Sequence, residues 1–146
     1  MAKKKTGIEV KDRVYKAREV GELFFYALYK CTANWHVCKL HARTVRKLLN
    51  DLKTDYTDYT LNLRSSELIH FLNSHFNEKR SDQRSITFKD IEKIGDVVNY
   101  YTRVSLGNRP RTIVFERENP DGCFVLVCTI EAQAKRLSGL SFRIKT

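Results

Sequence analysis

Two histidines, His70 and His75, are the residues whose type and spacing first suggest chemistry, because an imidazole with an unperturbed pKa of about 6.5 exchanges protons near neutral pH. Both lie in the segment 65–76, where Ser65 or Ser66 can act as the N-cap of a helix. On that helix, His75 falls within the apolar face and His70 points away from it, toward solvent or a groove. Taken alone, each histidine is more simply interpreted as structural: His75 as a core residue and His70 as a solvated one.

A second group of candidate ligands is Cys31, His36, Cys38 and His41, which fall close together in the sequence. Their spacing lacks the paired Cys-x-x-Cys form of structural zinc sites, so a zinc-stabilised regulator is the weaker interpretation. Reduced, buried thiols that pack as small apolar groups are favoured for all the cysteines, which include Cys123 and Cys128. We therefore expect no bound metal.

The composition predicts an anionic partner. The 146 residues include 27 Lys and Arg against 17 Asp and Glu, which gives a formal net charge of +10 and an isoelectric point near 9.6. Nucleic acid is the first candidate for that partner, followed by an acidic protein or a membrane surface. No apolar run is long enough for a transmembrane helix and no signal-peptide core follows the basic N-terminus, so we expect a cytoplasmic protein with no membrane partner.

The length suits a single domain that spans the whole chain, in which we predict three parts. Residues 1–7 read as a basic tail. Residues 8–58 are predicted to be mainly helical, with one helix within 12–33, a short strand at 35–40 and another helix at 44–53. The third part is residues 59–146.

This third part is predicted to begin with an extended segment at 59–63, followed by the two-histidine helix and a charged loop at 77–84. A short helix then starts with a pattern close to a capping box at Thr87. Turn-forming residues separate four strands, at 100–106, 111–117, 123–130 and 140–145, which predict an antiparallel meander. The predicted fold class is α+β, with N-terminal helices followed by a four-stranded antiparallel sheet.

Two motifs, and the order of elements around them, resemble a known family. The first is His-x-x-x-x-His, and the second is the helix Ile-Thr-x-x-Asp-Ile-x-x-Ile at 86–94, followed by the meander with its last strand around Ser141. Over about residues 60–146, the chain resembles the barnase, EndoU, colicin and RelE nucleases (the BECR fold) of phages and mobile elements. The resemblance implies a toxin-like endoribonuclease that cuts RNA, with tRNA a candidate substrate and an immunity or antitoxin protein a candidate partner.

The implied reaction is attack of a ribose 2′-OH on the adjacent phosphate, with no metal or other cofactor. It requires a base, an acid and cations that stabilise the phosphorane. By family position, His70 and His75 correspond to the acid and base, and Ser141 to a hydroxyl residue of the last strand. Five positions on a regular helix are about 140° apart, so both histidines cannot reach one phosphate if the helix runs regularly through both. Either one of them is structural, or the helix ends near Asn73. Of the two, we prefer His75 as the catalytic residue, with His70 at the rim of the groove.

Arginine side chains can hold the phosphate through bidentate contacts. Arg111 and Arg143 are predicted to do so from strands beside the cleft, although either can equally be a solvated charge on the sheet. Other basic residues are expected to line the path of the RNA and to raise affinity without selecting a sequence. They are Arg103, Arg109, Lys135, Arg136 and Lys145.

The alternative function is a non-catalytic basic protein that binds nucleic acid or acts as an inhibitor. The tail at Lys3–Lys5, the net charge and the aromatic residues Tyr100, Tyr101 and Phe115 near basic strands suit it equally well. Cleavage of RNA in the presence of EDTA distinguishes the two functions.

Overall fold

The computed structural model describes residues 8–10, 14–15, 33–64, 66–68, 70–71 and 83–146. In chain order the elements are β1 (Ile8–Val10), β2 (Val14–Tyr15), β3 (Ala33–Lys39), α1 (Ala42–Leu52), β4 (Thr60–Arg64), β5 (Gln83–Arg84), α2 (Phe88–Glu92), α3 (Ile94–Asn99), β6 (Arg103–Leu106), β7 (Thr112–Asn119), β8 (Gly122–Glu131) and β9 (Arg136–Lys145). Residues 66–68 and 70–71 are also helical. Among these elements, no helix has the length and apolar character needed to cross a membrane.

The described residues contain more strand than helix, and their sheet is mixed, so the prediction of N-terminal helices followed by a four-stranded antiparallel sheet is wrong. The strands follow the order β1-β3-β4-β9-β8-β7-β6, with β2 paired to β3 and β5 paired to β9. β4 runs parallel to β9 and β2 parallel to β3, whereas the other neighbours are antiparallel. The parallel pairing of β4 joins the N-terminal half of the chain to the sheet.

The error lies in the part predicted to be helical, residues 8–58. Its described residues contain only one helix, α1, which agrees with the prediction at 44–53. The predicted short strand at 35–40 is a seven-residue strand, β3, whose pairing with β4 shifts register between His36 and Cys38. Such a bulge breaks the two-residue alternation that marks a strand in a sequence. Of the helix predicted within 12–33, the described residues are strand residues and the rest lies outside the described residues.

Strands β6 to β9 form the predicted antiparallel meander, and local turn chemistry explains why it was predictable. Gly122 closes the β7–β8 turn with a φ of +144°, which favours glycine. A Cβ atom at this position would also lie 2.8 Å from the carbonyl oxygen of Lys145. The requirement for glycine therefore marks the turn in the sequence.

Helix α2 begins at the predicted capping box. The Thr87 backbone N–H donates to the Asp90 carboxylate at 2.8 Å, and the Asp90 N–H donates to the Thr87 hydroxyl at 3.4 Å. Arg84 donates two further hydrogen bonds to that carboxylate, at 2.8 and 2.9 Å. Burial alone would raise the pKa of Asp90, but the bonds from Arg84 and Thr87 hold it below its ordinary value. The helix ends at Lys93, so the one helix predicted here is two, α2 and α3.

The meander has two faces that differ in burial. On one face, the buried side chains are Ile113, Phe115, Phe124, Leu126, Phe142 and Ile144. They share the core with Val97 and Val98 of α3, so we call this the helix face. Because side chains alternate along a strand, Val114, Val127, Ser141 and Arg143 lie on the opposite face, which we call the outer face.

Candidate anion-binding cleft

A cleft of about 440 Å³ lies on the outer face, where the β6–β7 turn approaches β8 and β9. The residues that line it are His70, Gly107, Asn108, Arg109, Thr112, Val114, Val127, Leu140, Ser141 and Arg143. The cleft therefore brings together four residues predicted from the sequence to bind or cleave RNA: His70, Arg109, Ser141 and Arg143. These four come from a helix, a turn and the last strand.

The pairing of three strands forms the floor of the cleft. Val114 pairs with Val127, and Val127 pairs with Ser141, so these side chains stand side by side across β7, β8 and β9. Arg143 lies two residues beyond Ser141 and thus projects from the same face. The floor is apolar at the valines and becomes polar along β9.

A bulge in β9 adds one more residue to the cleft. Val127 pairs with Ser141, but the next residue, Cys128, pairs with Gly139, so Leu140 is the extra residue. In a regular strand, Leu140 and Ser141 would project from opposite faces. The bulge removes that constraint, and both line the cleft.

The β6–β7 turn holds Arg109 at the rim. The Gly107 N–H donates to the Thr112 carbonyl oxygen at 2.9 Å, and the Thr112 hydroxyl donates to the Arg109 carbonyl oxygen at 2.6 Å. A Cβ atom at Gly107 would lie 2.1 Å from the Thr112 Oγ1 atom, so the turn can close this tightly only with glycine. These contacts fix the backbone that carries Arg109.

His70 reaches the cleft from the helical residues that follow β4. Its neighbour Phe71 is buried, and the Phe71 ring packs against Phe142 on β9 with 6.0 Å between ring centroids. Gly139 leaves room on β9 for a neighbouring core side chain, since a Cβ atom there would lie 3.0 Å from the Leu63 Cδ1 atom. Phe71 thus anchors the helix to β9, while the exposed His70 lines the cleft.

The cationic side chains of the cleft are not neutralised by the described residues. No ion pair between described residues involves Arg109 or Arg143. The Nε atom of Arg143 is buried and has no hydrogen-bond partner among those residues. Two uncompensated guanidinium groups at one concave site attract an anion and offer it donors in a fixed geometry.

Of the other four basic residues predicted to bind RNA, three form ion pairs with glutamates. Arg103 lies 3.4 Å from Glu116 and 2.8 Å from Glu118, and its pKa is raised by hydrogen bonds to both carboxylates. Arg136 pairs with Glu131 at 3.7 Å, and Lys145 pairs with Glu116 at 3.6 Å. Lys135 is exposed in the β8–β9 turn, with a left-handed φ of 49°. These four residues lie outside the cleft.

Of the described residues predicted to be catalytic, Arg111 does not line the cleft. Arg111 borders a separate depression of about 700 Å³, which is formed with residues 129–134 and contains Glu131 but no other cationic side chain. We consider the smaller cleft the better anion site because its lining has two guanidinium groups and no carboxylate, whereas the depression at Arg111 has one guanidinium group beside Glu131. His75 lies outside the described residues, and its catalytic function stays a prediction.

Polar residues that sequence reasoning missed are Asn108 and Thr112. The Gly107-Asn108 pair indicated a turn, but nothing in the sequence indicated that the turn folds back over the outer face. Thr112 is buried, and its hydroxyl is committed to the Arg109 carbonyl oxygen. Thr112 therefore positions the turn, and Asn108 adds an amide group to the cleft wall.

The described residues contain no group of three or more His, Cys, Asp or Glu side chains that could hold a metal ion. No protein-family model matches the chain, and comparisons with curated proteins and with solved structures found no match. The chemistry of the cleft therefore carries the functional argument.

Proposed function

We propose that the protein is a metal-independent endoribonuclease and that the cleft on the outer face is its active site. One observation carries the proposal: Arg109 and Arg143, which have no carboxylate partner among the described residues, border the same cleft as His70 and Ser141. Cleavage of a phosphodiester without a metal requires cations that bind the phosphate and an imidazole or similar group that transfers protons.

The guanidinium groups of Arg109 and Arg143 bind the scissile phosphate and stabilise the charge of the phosphorane. The Ser141 hydroxyl donates a hydrogen bond to a phosphate oxygen. The apolar floor at Val114 and Val127 accepts the ribose or base beside that phosphate. A volume of about 440 Å³ lies within the range of small-molecule sites, which suits one nucleotide.

The reaction proceeds by attack of the 2′ oxygen on phosphorus. The P–O2′ bond forms and the P–O5′ bond breaks, which yields a 2′,3′-cyclic phosphate and a 5′-hydroxyl group. The 2′-OH gives its proton to a base, and the leaving 5′ oxygen takes one from an acid. We assign one of these transfers to His70, which lines the cleft. The other stays with His75 as predicted from the sequence, on the alternative that the helix ends near Asn73, because a regular helix would not bring both imidazoles to one phosphate.

The toxin-like origin in a phage or mobile element, and an immunity or antitoxin protein as partner, belong to the same proposal. An inhibitory partner of this kind would present carboxylates to Arg109 and Arg143. The competing function is a non-catalytic protein that binds nucleic acid through the same cleft.

The experiment is incubation of the purified protein with labelled RNA in EDTA, with analysis of product ends. The expected product carries a 2′,3′-cyclic phosphate, and its formation falls at least about 100-fold in His70→Ala. Arg136→Met serves as the control for cleft variants, since Arg136 lies on β9 but pairs with Glu131 outside the cleft.

An RNA mobility shift without product would leave only the binding protein. Cleavage that His70→Ala and His75→Ala both leave unchanged would contradict the proposed acid and base. Folding of each variant is verified by circular dichroism, because loss of folding in His75→Ala would indicate a core histidine.

A further inference from the structure

A second cationic site lies on the helix side of the molecule, around an exposed tyrosine. Tyr100 retains 46% of its accessible surface. The Arg43 guanidinium carbon lies 4.8 Å from the centroid of its ring, and the Arg117 guanidinium carbon lies 5.3 Å from it. Cations at such distances are attracted to the ring quadrupole. The tyrosine thus gathers two guanidinium groups from α1 and β7 at the surface.

A third cation lies beside them. The Lys47 Nζ atom lies 3.9 Å from the centroid of the Tyr101 ring and donates to the Tyr101 carbonyl oxygen at 2.9 Å. Arg43 and Lys47, with Tyr100 and Tyr101, line a depression of about 280 Å³. We call Arg43, Lys47, Tyr100 and Arg117 the tyrosine patch.

No carboxylate among the described residues forms an ion pair with a cation of the tyrosine patch. Arg117 donates to a backbone carbonyl oxygen, that of Asp96, at 3.3 Å. The Asp51 carboxylate accepts a hydrogen bond from the Tyr101 hydroxyl at 2.7 Å. Like charges that are gathered and not neutralised repel one another, and an anionic ligand relieves that repulsion.

Buried hydrogen bonds hold the patch in shape. Asn99, which is only 6% exposed, ends α3 immediately before Tyr100. Its Oδ1 atom accepts hydrogen bonds from the Thr44 hydroxyl at 2.8 Å and from the backbone N–H of His41 at 2.9 Å. Thr44 follows Arg43 directly on α1. These bonds fix the start of α1 to the end of α3, so the residues of the patch are pre-organised for a ligand.

We propose that the tyrosine patch binds a single-stranded segment of nucleic acid. The three cations bind phosphates, and a base stacks on a guanidinium group that itself lies over the Tyr100 ring. An acidic protein would use the charges alone, whereas the stacked ring and guanidinium groups also match the face of a base.

The patch is separate from the cleft. Arg117 follows Ile113 and Phe115 in the alternation of β7 and lies on the helix face, whereas Val114 lies on the outer face in the cleft. The sheet therefore stands between the two sites. The inference goes beyond the proposed function, because it holds whether or not the cleft cleaves RNA.

The test is fluorescence anisotropy with a labelled single-stranded 2′-O-methyl RNA, which lacks the attacking 2′-OH. The double variant Arg43→Gln/Arg117→Gln is expected to bind at least about fivefold more weakly, and to lose about 1.4 from the slope of log K against log salt, at about 0.7 per phosphate contact. Arg46→Gln is the matched control, since Arg46 is also an exposed arginine of α1 but lies outside the patch.

Stacking is tested at Tyr100. Tyr100→Phe keeps the ring and is expected to bind as wild type, whereas Tyr100→Leu is expected to bind at least about fivefold more weakly. If the two variants bind alike, the patch supplies charge alone and an acidic protein is its better partner, which overturns the proposal.

The proposal would also be overturned if the double variant Arg43→Gln/Arg117→Gln bound RNA with the affinity and the salt slope of the wild type. The single variant Arg43→Gln, which changes one exposed residue, replaces the double variant if the latter does not fold. Failure of the active-site proposal is distinguishable: Arg143→Met would then leave RNA cleavage unchanged, while the patch variants would still lose binding.

Discussion

Arg143 gives the sharpest test of the cleft, because its contributions to activity and to stability should have opposite signs. Its Nε atom is buried with no hydrogen-bond partner among the described residues. A buried donor without a partner costs about 1–3 kcal/mol. Arg143→Met removes that donor and keeps an unbranched apolar stem of similar length. The variant should therefore be as stable as the wild type or more stable by about 1 kcal/mol.

Activity should fall in the same variant. Removing one group that stabilises developing charge in a transition state costs about 10²–10³ in rate, and a 100-fold loss corresponds to about 2.7 kcal/mol. The measurements are single-turnover cleavage of labelled RNA and urea unfolding followed by circular dichroism. At an urea dependence of about 2 kcal/mol per M, a gain of 1 kcal/mol raises the unfolding midpoint by about 0.5 M.

Two results would refute this reasoning. Wild-type cleavage by Arg143→Met would remove Arg143 from the active site. A loss of stability of more than about 1 kcal/mol would mean that the guanidinium supports the fold and has a structural partner. Arg136→Met, at the other end of β9, should retain cleavage, because its pairing with Glu131 lies outside the cleft.

Two further predictions concern the elements that support the site. Gly107→Ala should lower the free energy of unfolding in urea by about 1–3 kcal/mol and reduce cleavage, because its Cβ atom would collide with the Thr112 hydroxyl. Gly95→Ala is the control: its Cβ atom would meet its nearest neighbours at 3.4 Å, so stability should change by less than about 1 kcal/mol. The pKa of Asp90 is lower in the folded state than in the unfolded state, where it is about 3.9. The ionised carboxylate therefore stabilises the fold at pH values above about 3.9. This stability is lost as the pH falls through the lower pKa of the folded state. Asp90→Asn should therefore reduce the dependence of urea stability on pH below about pH 5, and an unchanged acid dependence would contradict the bonds from Arg84.

Only some of the basic residues predicted to bind RNA line the cleft, and their neighbours on the adjacent strand explain which ones do. Arg103 and Arg143 look alike in the sequence, as basic residues on strands of the meander. Arg103 faces Glu116 across the β6–β7 pair, whereas Arg143 faces Val125 across β8–β9. Which arginine stays free for a ligand is thus decided by residues distant in the sequence.

The sequence by itself determined the features that arise from neighbouring residues. The capping box that starts at Thr87, the turn that needs Gly122 and the strands of the meander all depend on contacts or backbone angles within a few positions. Helix α1 is likewise specified by its own apolar periodicity.

Only the tertiary structure decided how those elements meet. The parallel pairing of β4 with β9, the bulge at Leu140 and the return of the β6–β7 turn over the outer face bring His70, Arg109 and Arg143 to one cleft and leave Arg111 at another. Strand pairing depends on burial and on register across the sheet, and one added residue in a strand reverses which side chains face the site. No local pattern in the sequence contains that information.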